Sequence, residues 1–289
     1  MQVTVKAPAK INLTLDVVGV REDGYHLLES VMQTVSRYDT LTASPAPAGT
    51  VALDIPGGHP CPVEKNTAHK AAVAFFRETG VAGGVRMALE KAIPQQAGMG
   101  GGSADAAAVL WALDALYGTH LSTEELCRIG LSVGADVPFC VLGGTAFVTG
   151  IGEGLRPLPP LPDCAIVVAQ PAEGVSTATA YAAIDRATAL RRPDNGAAIA
   201  ALYAGDLPGV CRQAINAFEE VTALPGVQAI RRTMEAFSPL CSRMTGSGSA
   251  VFAVFEDDRQ ARACADALRS DYPTVFLCHP CAGVEISAE

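Results

Sequence analysis

Apolar and polar residues alternate along the opening of the chain. Ile11, Leu13, Leu15 and Val17 fall on one side, while Lys10, Asn12, Thr14 and Asp16 fall on the other. A two-residue period marks a strand with one buried face. Residues 3–17 therefore read as a strand interrupted at Pro8, with Lys10 and Asn12 sharing its polar face. Asp23-Gly24 is a turn signal that throws Tyr25 and His26 onto the next segment. Further strands are predicted over 30–42 and 50–55. Asn66 as N-cap and Gly80 as stop bound a helix over 67–79. A strand over 85–93 leads through a glycine-rich loop into an alanine-rich helix over 103–117. Ser122 and Glu125 have the spacing of a capping box, opening a helix that stops at Gly134.

A strand over 145–149 closes this first unit. Four prolines among residues 155–162 predict a linker. Beyond it come a buried strand over 165–169, several alanine-rich helices, a glycine turn at 245–248, a strand over 250–255, a helix and a last strand. Strands and helices follow one another without regular alternation, which predicts an α+β fold rather than a doubly wound sheet. The chain divides on this reading into units 1–154 and 163–289.

The densest chemistry lies at 94–104. Four of the five residues from Gly98 to Gly102 are glycine, between a strand and a helix. Such a backbone reaches positive φ, approaches a ligand closely and turns its amides toward an anion at a helix N-terminus. A Walker A loop would need a lysine after the glycines, and none follows. A dinucleotide fingerprint would put glycine where Ser103 stands and would follow the first strand. The loop is a phosphate cradle of a third kind.

Composition narrows the partners. A net charge of −9 lacks the basic footprint of nucleic-acid binding. No apolar run reaches the ~20 residues of a membrane span, and the chain opens directly on a strand pattern. The nine scattered cysteines suit reduced thiols, so the expected compartment is the cytoplasm. Cys278 and Cys281 have half a zinc spacing, but no second pair accompanies them, and they read as part of a terminal strand. No heptad or self-complementary stripe marks an oligomer interface.

Asp136 stands alone among apolar neighbours in Gly134-Ala135-Asp136-Val137-Pro138-Phe139. Such a carboxylate is a cap or a site residue and needs a partner, for which Lys10 is the candidate. An anion cradle, a strand lysine and an isolated acid together suggest phosphoryl transfer to a hydroxyl. Backbone amides would hold the triphosphate, with Mg2+ screening it. Asp136 would accept the hydroxyl proton, and Lys10 would steady the developing charge.

Ala7 to Leu13, the glycine-rich loop and Met244 to Ser249 resemble the three motifs of the GHMP kinases, the superfamily of galactokinase, homoserine kinase, mevalonate kinase and phosphomevalonate kinase. The resemblance runs over nearly the whole chain. It implies an ATP cleft between an N-terminal ribosomal-S5-like domain and a C-terminal ferredoxin-like domain. It also implies catalytic roles for Lys10 and Asp136. ATP contacts would fall on Pro94, Gln95, Gln96, Ala97, Gly98, Met99, Gly100, Gly101, Gly102, Ser103 and Ala104, with Thr245, Gly246, Ser247 and Gly248 as the third glycine loop.

The motifs around His26, Gly100 and Asp136 further resemble a branch whose alcohol acceptor is a cytidine diphosphate derivative. In that branch Tyr25 and Tyr181 would sandwich the cytosine, and His26 would bond its edge. Asn12 and Thr177 would serve the polar end of the substrate. Asn66 would cap its helix, touch adenine, or both. Ala104 stands where the family has a second serine, leaving Ser103 as the candidate metal ligand. A homoserine- or mevalonate-type kinase and a nucleotide-binding module without catalysis are the competing readings.

Overall fold

The computed structural model describes residues 1–58, 61–222 and 224–288. Its first sheet is built on β1 (Val3–Asn12), β2 (Asp16–Val20) and the long β3 (His26–Ala46). It is completed by β4 (Val51–Asp54) and, after helix α1 (Thr67–Thr79), by β5 (Gly84–Glu90). Helices α2 (Gly101–Tyr117), α3 (Thr123–Leu131) and α4 (Val137–Leu142) follow, then β6 (Thr145–Gly150) and β7 (Gly154–Pro157).

β3 serves two neighbourhoods. Its first half pairs with β2 and β6, and its second half lies between β1 and β5. Proline has no amide hydrogen, so the β1–β3 ladder shifts register between Pro8 and Ala9, and the strand continues through a bulge. The caps expected for α1 are present: Asn66 Oδ1 accepts from Ala68 N at 2.9 Å, and Gly80 adopts φ +69°. The Ser122–Glu125 capping box is also formed. Helix α2 starts two residues earlier than its composition suggests, because Gly100 at φ +71° turns the chain straight into it. Apolar on nearly every side, α2 is the buried central helix, packed on β1, α1 and α4.

Part of the expected linker is strand. Residues 154–157 pair with β6, and Pro157 is tolerated because β7 is an edge. The second sheet, entirely antiparallel, has the order β11-β8-β10-β9, where β8 is Ala165–Gln170, β9 is Cys241–Met244, β10 is Val251–Phe255 and β11 is Thr274–Cys278. Between β8 and β9 lie α5 (Thr177–Ile184), α6 (Asn195–Tyr203), α7 (Leu207–Arg212), α8 (Ala217–Val221) and α9 (Pro225–Glu235), and α10 (Asp258–Arg269) precedes β11.

β8 is apolar from Ala165 to Ala169 because both of its faces are covered there. Ala165, Val167 and Ala169 pack in one cluster with residues of α9 and α10. Ile166 and Val168 join a second cluster that runs without a break through α6 and α7 into the core of the first sheet. The last strand, β12 (Glu285–Ala288), does not extend the second sheet. It returns to pair with β1, from Val3 opposite Ala288 to Lys6 opposite Glu285, covering what would otherwise be an open edge. Cys278 ends β11, and the Cys281 amide donates to Thr34 O on this return path. No helix among the described residues is long and apolar enough to cross a membrane.

Candidate active site

The polar face of β1 is buried. Lys10, Asn12 and Thr14 are each no more than 3% exposed, because the second sheet and its connections lie across them. An ammonium out of water needs compensation. Lys10 Nζ donates to Asn12 Oδ1 at 2.8 Å and lies 3.4 Å from Asp136 Oδ2. Asp136 stands at the start of α4, its carboxylate making no capping bond and about one-third exposed. The partnership drawn from the apolar setting of Asp136 is thus a real contact.

Asn12 ties β1 to β3 and to the third glycine loop. Its amide N–H donates to Thr245 Oγ1 at 3.1 Å, and its Nδ2 to Ser30 Oγ at 2.9 Å. Its Oδ1 also accepts from Gly246 N at 3.0 Å. Asn216 holds the far side of the same loop, its Nδ2 donating at 2.8 Å to both Met244 O and Gly246 O. The glycine loop closes against this junction. Lys10 N donates to Met99 O, and Ala250 N to Ala97 O. Gly98 has φ +72°, and a Cβ there would stand 2.1 Å from Thr245 O. A Cβ on Gly100 would stand 2.9 Å from Lys10 Cγ. These two glycines let loop meet loop and loop meet lysine.

The start of α2 directs unpaired amides outward. Ala104 N is the first to take an intrahelical partner, Gly100 O at 2.8 Å, so the amides of 101–103 have none within the helix. That end carries the positive dipole and suits a polyphosphate. Ser103 Oγ faces the turn before Asp136, 4.0 Å from where a Cβ on Gly134 would be. Ala104 is buried in the core and does not line the cavity.

Beneath the loop lies a cluster that the sequence did not single out. Lys91 Nζ bonds Asp39 Oδ2 and, at 2.5 Å, Asp105 Oδ2. Asp39 Oδ1 accepts from the amides of Ala92 and Ile93 at 2.5 and 2.8 Å. Asp105 Oδ1 is buried with no hydrogen-bond partner among the described residues. Burial pushes the Asp105 carboxyl up to about 7, Lys91 opposing the shift and Asp39 adding to it. The signal available in sequence was Asp105 itself, an acid inside an alanine-rich apolar helix. The cluster ties β3, the end of β5 and α2 together under the glycines.

Two cavities flank this centre. One, of about 650 Å³, is lined by Lys10, Asn12 and Asp136 and, across from them, Thr177, Tyr181 and Ser247. The other, of about 420 Å³, is lined by Asn66, by the loop from Pro94 to Ser103 and by Asp105. They share Gln96, Gly98 and Gly100. Asn66 both caps α1 and lines the second cavity. Of the residues anticipated in the loop, Ala104 alone is outside both linings.

Thr177 Oγ1 and Ser247 Oγ are 3.2 Å apart in the lining of the larger cavity. The aromatic end differs from the anticipated sandwich. Tyr181 is stacked by His26, with centroids 4.3 Å apart at 27°, while Tyr25 is exposed with the Arg21 guanidinium 5.4 Å over its ring. The reason is local: β3 begins at His26 and points its ring toward α5, whereas Tyr25 remains on the turn. Phe218 backs Tyr181 edge-on at 4.9 Å. Burial, with the Asp136 charge adding to it, pushes the Tyr181 phenol up to about 12.

Comparison with known proteins agrees with this geometry. The profile of the GHMP kinases N terminal domain matches residues 66–144, and that of the GHMP kinases C terminal domain matches 189–274. The fold and the site thus define a small-molecule kinase of the GHMP class. Its fold is shared with homoserine kinase from Cytophaga hutchinsonii at a TM-score of 0.75 and 20% identity, over 99% of this chain and 94% of that one. The 4-diphosphocytidyl-2-C-methyl-D-erythritol kinase of Exiguobacterium sibiricum is 42% identical over 96% of this chain and 97% of its own. That of Caldicellulosiruptor saccharolyticus is 38% identical over 99% of both. A crystal structure of 4-(cytidine 5'-diphospho)-2C-methyl-D-erythritol kinase superposes with a TM-score of 0.81 at 36% identity, over 97% of this chain and all of that one. The chain belongs to the 4-diphosphocytidyl-2-C-methyl-D-erythritol kinase family.

Two outcomes follow from the packing of the loop. Gly98→Ala will cost about 1–3 kcal/mol through strain and backbone collision and will weaken ATP binding, measured by chemical denaturation and calorimetric titration. Lys91→Met leaves two buried carboxylates unpaired and will cost about 3 kcal/mol at pH 8. A carboxyl raised by folding favours the fold below its unfolded value of 3.8 and loses that contribution as pH rises through about 7. The Lys91→Met deficit will therefore shrink as pH is lowered toward about 5; urea midpoints at both values measure it.

Proposed function

We propose that the chain transfers the γ-phosphoryl group of ATP to the 2-hydroxyl of 4-diphosphocytidyl-2-C-methyl-D-erythritol, a step of the non-mevalonate route to isoprenoid precursors. The observation that carries the reading is the Lys10–Asp136 pair, standing where the two cavities meet at Gly98 and Gly100. ATP would occupy the smaller cavity, its adenine toward Asn66 and its phosphates over the amides of 101–103. The alcohol would occupy the larger.

In this reading Asp136 accepts the hydroxyl proton as the new O–P bond forms and the bond from Pγ to the bridging oxygen breaks, releasing ADP. Lys10 offsets the charge that gathers on the transferring group, and Asn12 holds Lys10 in place. Thr177 and Ser247 supply hydroxyls for the substrate diphosphate, and Tyr181 a face for the base. Magnesium fits the donors available: Ser103 offers a hard hydroxyl oxygen, and the phosphates of ATP would supply the rest. When bound, it neutralises phosphate charge.

The same reading treats residues 1–154 and 163–289 as the nucleotide unit and its companion, with β12 lent to the sheet of the first. It puts the reaction in the cytoplasm, in keeping with nine free thiols.

Coupled ADP release, with the cytidine compound and with mevalonate or homoserine offered separately, tests the assignment; turnover on either of the latter and none on the former overturns it. Lys10→Ala and Asp136→Ala will each lower kcat by about 100-fold or more while ATP still binds. Near-normal turnover in either variant removes that residue from the mechanism. Tyr181→Ala will raise the KM for the cytidine substrate about tenfold or more through lost stacking. A fall in kcat alone would refute a base-binding role.

A further inference from the structure

We infer that Asp185 is a positioning residue that fixes the proton on His26 and so makes the site select cytosine over uracil; the inference rests on the cytidine reading above. His26 Nε2 lies 2.7 Å from Asp185 Oδ1. An ionised carboxylate can only accept, so the neutral imidazole carries its hydrogen on Nε2 and presents the lone pair of Nδ1. Nδ1 has no hydrogen-bond partner within the protein among the described residues.

The placement is built by two elements. Asp185 follows the last turn of α5, its N–H donating to Tyr181 O at 3.0 Å. Tyr181 and Asp185 thus stand four residues apart on neighbouring turns, one offering a ring and the other a charge. His26, from the start of β3, lies against both: its ring stacks on Tyr181 and its Nε2 meets the carboxylate. Tyr181 lines the larger cavity. A base that shares the Tyr181 face with His26 lies edge-on to the imidazole and meets Nδ1.

Along that edge cytosine and uracil differ at the exocyclic group, an amine that donates in the first and a carbonyl that accepts in the second, and at the neighbouring N3, which accepts in the first and carries a hydrogen in the second. A lone pair on Nδ1 accepts from the amine and opposes the carbonyl. A site built around one hydrogen-bond direction rejects the analogue that reverses it, because a buried polar group is left unpaired. Without the carboxylate the ring can carry its proton on either nitrogen, and the direction is no longer set.

The test uses the full-length enzyme with the cytidine substrate and its uridine analogue, in wild type, Asp185→Ala and Asp185→Glu. The wild type will favour cytidine. In Asp185→Ala the ratio of kcat/KM values will fall about tenfold or more, chiefly through KM, and Asp185→Glu will restore it. Nitrogen-15 spectra of the imidazoles, with His26 assigned by its loss in His26→Gln, will show Nδ1 unprotonated in the wild type and mixed protonation in Asp185→Ala. An unchanged ratio, or the same single tautomer in both proteins, overturns the role of Asp185 and leaves the cytidine reading intact. A wild type inactive on the cytidine compound overturns both.

Discussion

The structure turns on a buried ammonium. Lys10 is taken out of water on a strand face that would be solvated in an isolated sheet, and its charge must be met by fixed partners. Asn12 and Asp136 meet it, from the same strand and from the start of α4. Holding Asn12 in place commits the third glycine loop, which bonds its backbone and its side-chain oxygen, and that loop in turn is clamped by Asn216. One desolvated cation therefore dictates where four separate stretches of chain must lie.

Glycine makes that convergence possible at two points. Gly98 and Gly100 take positive φ and leave room where any Cβ would strike Thr245 O or Lys10. The two cavities join at those same residues. Phosphoryl transfer asks chiefly for two reactants in line with charge compensated between them, and in the proposed reaction two cavities sharing a wall of bare backbone would supply that arrangement. The Lys91 cluster underneath keeps the wall rigid, joining β3, β5 and α2 below the surface where phosphates would lie.

The two halves of the chain are also welded together. One face of the second sheet belongs to an apolar cluster that continues into the first, and β12 crosses back to finish the first sheet. Leu15 exchanges backbone bonds with Ile215 and Ala217, and Arg192 binds Asp16 at 2.8 Å. With cores and strands shared in this way, the larger cavity is a product of packing between the halves, and His26 of the first half meets Tyr181, which lines that cavity, and Asp185 of the second.

Short-range signals carried much of this in the sequence. A period of two placed Lys10 beside Asn12, caps bounded α1 at both ends, and glycine density marked the loop, because each depends on neighbours within a few residues. The pairing of Lys10 with Asp136 was suggested by a lone carboxylate among apolar residues, which calls for a cation, and was implied by the resemblance to the GHMP kinases. Contacts such as Asn12 with Thr245, 233 residues apart, or His26 with Asp185, 159 apart, leave no local trace. The choice of His26 rather than Tyr25 against Tyr181, the burial of Ala104, the Lys91 cluster and the return of β12 to β1 were decided by tertiary packing. Which surfaces meet depends on the shape of the whole buried core, a property that no window of sequence contains.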